Sequence, residues 1–105
     1  MLLIVTKPPK FCAGNFKCIE LSREDASILI KGSHSNDQVA PYIFHGSTKR
    51  ALAVLTGIDF EIVQKTEVPQ PRDGDLFLLI QVSPSAPRGR PRVEDLEFLQ
   101  IEFSL

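Results

Sequence analysis

The chain has 105 residues, 43% of them hydrophobic and 24% charged, with a formal net charge of −1. That length suits a single domain over residues 1–105 and excludes two; the charge balance excludes a protein that coats duplex DNA, which needs a marked basic excess, but leaves room for a small anion in a local pocket. No run approaches the ~20 apolar residues of a membrane span, so no membrane partner is expected.

Leu2-Leu3-Ile4-Val5-Thr6 is a continuous apolar run, read as a buried first strand; it is too short, and lacks the basic leader, for a signal peptide. Lys7-Pro8-Pro9-Lys10 breaks it, because neither proline can donate to a ladder. The region of Ala13, Gly14 and Asn15 reads as a turn, and Phe16 to Leu21 alternates as a second strand. Cys12 and Cys18 have no ligand cluster, and His34 and His45 join them in no zinc spacing. No metal is expected; free cytoplasmic thiols are the reading, with one disulfide as the alternative.

Ser22 can cap a helix whose first turn carries Glu24 and Asp25, ending at Gly32 or nearby; a strand through Ile28 to Lys31 is the competing reading. Residues 32–38 are polar and loop-like. Ala40 to Phe44 is a short strand leading into a helix from Ser47 to about Thr56, where Ala51, Leu52, Leu55 and Ile58 form one stripe and Gly57 stands at the C-cap. Phe60 to Val68 alternates in part and reads as a strand. The turn Pro69 to Gly74 would join it as an antiparallel hairpin to the most apolar run, Leu76 to Val82. Pro84 to Pro91 excludes regular structure, and Leu99, Ile101, Phe103 and Leu105 alternate as a last strand. The order implies an α/β (α+β-like) fold: one domain, a mixed, largely antiparallel sheet of five or six strands, and about two helices.

The most informative stretch is Phe44-His45-Gly46-Ser47-Thr48-Lys49-Arg50. A strand-like run stops there and a helix starts, so an imidazole, two hydroxyls and two cations share one small volume with unpaired helix N–H groups and the positive end of a dipole. His45 can titrate near neutral pH as a general acid; its plainer role is packing or hydrogen bonding beside Tyr42. One of Ser47 and Thr48 is expected as the helix N-cap, which is compatible with a phosphate contact by the other N–H groups. Arg88, Arg90 and Arg92 lie in a Gly/Pro-bounded loop that is either a solvated surface or a lid over phosphates, with Lys7 as a further candidate cation.

On these residues the chain resembles the small viral anti-CRISPR ring nucleases and their CRISPR-associated cellular relatives. The resemblance runs from about Tyr42 to Ser83 and more weakly over both ends. Its anchors are Phe44-His45-Gly46-Ser47-Thr48 opening the helix and Leu79-Ile80-Gln81-Val82-Ser83, similar to the family's Gln-x-Ser strand end. It implies a homodimer that binds cyclic tetra-adenylate across its two-fold axis and cuts it without a metal or other cofactor. A ribose 2′-hydroxyl attacks its own phosphate while His45 protonates the departing 5′-oxygen. Gly46, Ser47, Thr48, Gln81 and Ser83 would touch the ligand, with Arg88, Arg90 and Lys7 as the cations. Where the family has an asparagine-containing loop, this chain has Thr6-Lys7-Pro8-Pro9. Where it has an arginine and acidic residues, this chain has Ser85-Ala86-Pro87 and then Arg88. The family arginine that follows the central helix is replaced locally by Gln64, Lys65 and Thr66.

The function expected is cleavage of a cyclic oligoadenylate or related signalling nucleotide, dampening type III CRISPR signalling in the cytoplasm (the host's, if the chain is viral). The alternatives are a non-catalytic sponge for such a nucleotide and a protein-interaction module on the same fold.

Overall fold

A computed structural model describes residues 1–6, 15–43, 46–61, 72, 74–86 and 91–104, with the side chains of 15, 16, 103 and 104 left aside. Its elements are β1 (Leu2–Val5), β2 (Asn15–Leu21), α1 (Arg23–Ser35), β3 (Val39–Tyr42), α2 (Gly46–Thr56), β4 (Leu76–Val82), a single 3₁₀ turn (Val93–Asp95) and β5 (Leu96–Ser104). The strands form one five-stranded sheet in the order β2-β5-β4-β1-β3. This is the expected single α+β domain with a mixed sheet and two helices.

The balance of pairings is more even than expected. β1 runs parallel to both β3 and β4, and β5 runs antiparallel to both β4 and β2. Only β5 therefore opposes the common direction. The sequence of β1 suits its place. Four consecutive apolar residues have no polar face to show, and all four are buried, as a strand with parallel neighbours and cover on both faces requires.

The expected hairpin between residues 60–68 and β4 does not form along residues 76–79. Both edges of that stretch are taken, by β1 in the register Leu2↔Leu76 to Val5↔Leu79 and by β5. Pairing two doubly apolar runs buries more surface than pairing β4 with a half-polar strand. Phe60 and Glu61 are not in a strand, and Phe60 is buried in the core instead; the rest of that expected strand lies outside the described residues.

The helices share one face of the sheet. Ala26 and Ile30 of α1 and Ala51 and Leu52 of α2 pack with Ile4, Leu78, Ile80, Leu96 and Phe98. The alternate residues Leu3, Val5, Phe77, Leu79 and Ile101 make a second cluster on the other face. Period-two alternation thus divides the central strands between two cores.

α1 starts as expected, with the Asp25 N–H donating to Ser22 Oγ at 3.1 Å. It runs one turn past Gly32, because Ser35 Oγ (2.9 Å) and Asn36 Nδ2 (3.1 Å) both donate to the Gly32 carbonyl. It ends in a Schellman arrangement: Asp37 takes φ 58°, its N–H donates to His34 O at 3.0 Å, and Gln38 N–H donates to Ser33 O at 2.9 Å. An aspartate tolerates this left-handed geometry better than most residues. Cys18 of β2 is a free, exposed thiol; Cys12 lies outside the described residues.

α2 ends where the sequence places it. Gly57 follows at φ 73°, and its N–H donates to Ala53 O at 2.7 Å. Nothing lies within 4 Å of a Cβ built there, so only the backbone conformation opposes a side chain. Gly57→Ala is expected to lower stability by about 1 kcal/mol, read as a drop of ~4–8 °C in melting temperature.

Candidate functional site

Because β1, β3 and β4 are parallel, their C-terminal ends lie along one edge of the sheet. β1 is the central strand of the three, with β3 on one side and β4 on the other. β2, the next strand in the chain, pairs at the far side of the sheet, beyond β5. Open sheets of this kind bind ligands beyond the carboxyl ends of their strands. β1 delivers Thr6 to this edge, β3 delivers Ile43 and then α2, and β4 delivers Gln81, Val82 and Ser83.

α2 begins at Gly46, so Ser47 and Thr48 are its second and third residues rather than its N-cap. Their N–H groups belong to the first turn, where no intrahelical carbonyl is in reach. Ser47 is half-buried and Thr48 is buried. The electrostatics of the two helix openings differ. α1 carries Glu24 and Asp25 in its first turn, which neutralise its dipole, whereas α2 carries no acidic residue there. Lys49 and Arg50 follow instead. Lys49 Nζ is engaged with Asp59 Oδ1 at 3.0 Å. Arg50 is exposed and has no ion pair among the described residues.

At the end of β1, Thr6 Oγ1 is buried and has no hydrogen-bond partner among the described residues. A buried hydroxyl without a partner costs of order 1–3 kcal/mol, so such groups are rare and call for an explanation. The sequence places Thr6 at the end of a strand and at the start of the stretch that stands where the resembled family has an asparagine-containing loop, but nothing in composition or spacing marks a hydroxyl as unsatisfied. Thr6→Val keeps the shape and removes the group. It is expected to raise the stability of the free chain by about 1 kcal/mol, measured by urea denaturation, and to weaken any ligand that bonds the hydroxyl.

Ser83 closes the loop that follows β4. Its N–H donates to Asp95 O at 2.7 Å, its carbonyl accepts from Ala86 N–H at 3.0 Å, and its hydroxyl is 3.0 Å from that of Ser85. The far end of the loop is held by the 3₁₀ turn, where Arg92 N–H donates to Asp95 Oδ2 at 2.8 Å. Gln81 is exposed and sits opposite Glu97 of β5. It alternates with Ile80, so it shares the sheet face of Phe77 and Leu79, away from α2. Gln81 and the α2 opening therefore approach the same edge from opposite faces.

The structure thus brings Gly46, Ser47, Thr48, Gln81 and Ser83 to one edge of the sheet. His45, Lys7, Arg88 and Arg90 lie outside the described residues. Among the described residues, no helix is long and apolar enough to cross a membrane.

No protein-family model matches the sequence, and no curated protein matches it. Among solved structures the chain is similar to B116 of Sulfolobus turreted icosahedral virus, with a TM-score of 0.67 and 19% identity. The match covers 95% of this chain and 96% of that one. The two proteins share a fold over nearly their whole lengths.

Proposed function

We propose that this chain is a ring-nuclease-like protein of the anti-CRISPR type, which binds and cleaves a cyclic oligoadenylate, with cyclic tetra-adenylate as the substrate. The observation that carries the reading is the meeting of three parallel strand ends with a helix opening that has no acidic residue and is followed by two cations. A phosphodiester at that edge gains N–H donors and a positive potential where charge builds up during attack. The ligand supplies its own nucleophile, the ribose 2′-hydroxyl. The 2′-hydroxyl gives up its proton to solvent as its oxygen bonds to phosphorus, the bond to the 5′-oxygen breaks, and the protonated imidazole of His45 delivers the proton that this departing oxygen takes, leaving a 2′,3′-cyclic phosphate. The reaction needs in-line geometry, charge stabilisation and one acid.

A likeness in fold to a small viral protein supports a viral setting, and with it action in the host cytoplasm. A homodimer suits the reading, since two copies of the edge would meet the repeated phosphates of a cyclic ligand. The sponge is the second reading, favoured by Ser85, Ala86 and Pro87 in the stretch where the resembled family carries assisting residues. Incubation with cyclic tetra-adenylate followed by chromatography separates the two. Linear fragments establish the enzyme; intact ligand released on denaturation establishes the sponge; no bound ligand removes both.

A further inference from the structure

A concavity flanks α2. It is an open cleft of about 320 Å³ between α2 and the 3₁₀ turn before β5. Arg50, Ala51 and Val54 form one wall, on one helical face with Ser47 a turn earlier. Pro91, Arg92 and Val93 form the other, with Glu94 at the rim. Val54 is 77% exposed, which leaves a branched apolar side chain in water beside the cleft.

The two guanidiniums are available. Arg50 has no ion pair among the described residues, and Arg92 meets Glu94 only at 3.8 Å, with side chains 78% and 56% exposed. Exposed pairs of that kind contribute little and exchange readily for a better partner. Among the described residues nearby, Lys49 is engaged with Asp59, and Asp95 with the Arg92 N–H. What remains is a pair of forks for an anion, apolar and guanidinium faces for a flat ring, and one carboxylate that can accept from an amine. A peptide occupant would leave its main-chain groups short of partners on these walls, since the apolar side chains offer none. A phosphate joined to a flat base has no such deficit.

We infer that the cleft between α2 and the 3₁₀ turn is a nucleotide site, taking a phosphate on Arg50 and Arg92, a base against Val54 and Pro91, and the exocyclic amine of that base on Glu94. This rests on the nucleotide-binding reading above and adds a second place for an adenylate away from the strand-end edge.

The test is a titration of the full chain with adenosine monophosphate, followed by ¹⁵N–¹H correlation spectra. The amides of Arg50, Val54, Val93 and Glu94 are expected to shift and saturate together. Arg50→Ala and Arg92→Ala are each expected to weaken binding about tenfold, the effect of one lost charged hydrogen bond. Val54→Asp, at a site exposed enough to keep the fold, is expected to abolish saturation, and uridine monophosphate, which lacks the amine, to bind several-fold less tightly. Absence of shifts at these amides overturns the assignment, as does inorganic phosphate binding as tightly as the nucleotide or unchanged affinity in Val54→Asp. Turnover of cyclic tetra-adenylate is followed separately on the native chain. Turnover without shifts at the cleft overturns the cleft alone; shifts without turnover uphold the cleft and overturn the cleavage reading.

Discussion

His45→Ala is expected to bind cyclic tetra-adenylate nearly as the native chain does and to cleave it about 100- to 10,000-fold more slowly. That range is what a positioned general acid contributes when the leaving oxygen must take a proton. The split between binding and rate is the discriminating feature. On the proposed mechanism the imidazole acts on a bond that is breaking, so its loss falls on the rate constant, whereas the loss of a group that only holds the phosphate would fall on affinity. The measurement is single-turnover cleavage, with affinity determined in parallel and a thermal melt confirming that the variant folds. Equal cleavage by native chain and variant would remove His45 from the mechanism. Equal loss of affinity and rate would make it a binding residue.

Phe98→Ala is expected to cost about 3–5 kcal/mol. The ring is 1% exposed, on the central antiparallel strand β5 beneath the helices. In the sheet it lies between Ile80 of β4 and Leu21 of β2, so its removal strips contacts from both neighbours at once. Little can collapse into the space, because α1 packs on β5 and both neighbouring strands hold their positions beside it. For a domain whose total stability is of order 5–15 kcal/mol the variant is expected to lose at least ~12 °C in melting temperature or fail to fold. Val54→Ala, at a side chain 77% exposed, is the control and should change stability by no more than ~0.5 kcal/mol. A Phe98→Ala melt close to native would mean that the helix-side core is not the main source of stability.

Local signals told most of what was legible. Ser22 followed by Glu24 and Asp25 marks a helix start, and Gly57 marks a helix end, because capping bonds and left-handed backbone are settled within a few residues. Gly32 misled, since a glycine in a helix interior costs only ~1 kcal/mol and the bonds that Ser35 and Asn36 make to its carbonyl outweigh it. That a helix opens near Gly46 was legible from its residue types alone. That Thr6 and Ser83 come to the same edge was not, since both arrive through strands whose partners lie far along the chain.

By itself the sequence determined which segments are strands and helices over most of the described chain, and which face of each is apolar, since both follow from backbone preferences and from periods of 2 and 3.6. Only the tertiary structure decided that β4 pairs with β1 rather than with residues 60–68, that half of the strand pairings are parallel, and that α2 and the ends of β1 and β4 share an edge. Ladder hydrogen bonds are chemically alike for every strand, so they carry no address. Partners are chosen by which arrangement covers both faces of Leu2–Val5 and Leu76–Val82 at once, and that is a property of the whole chain.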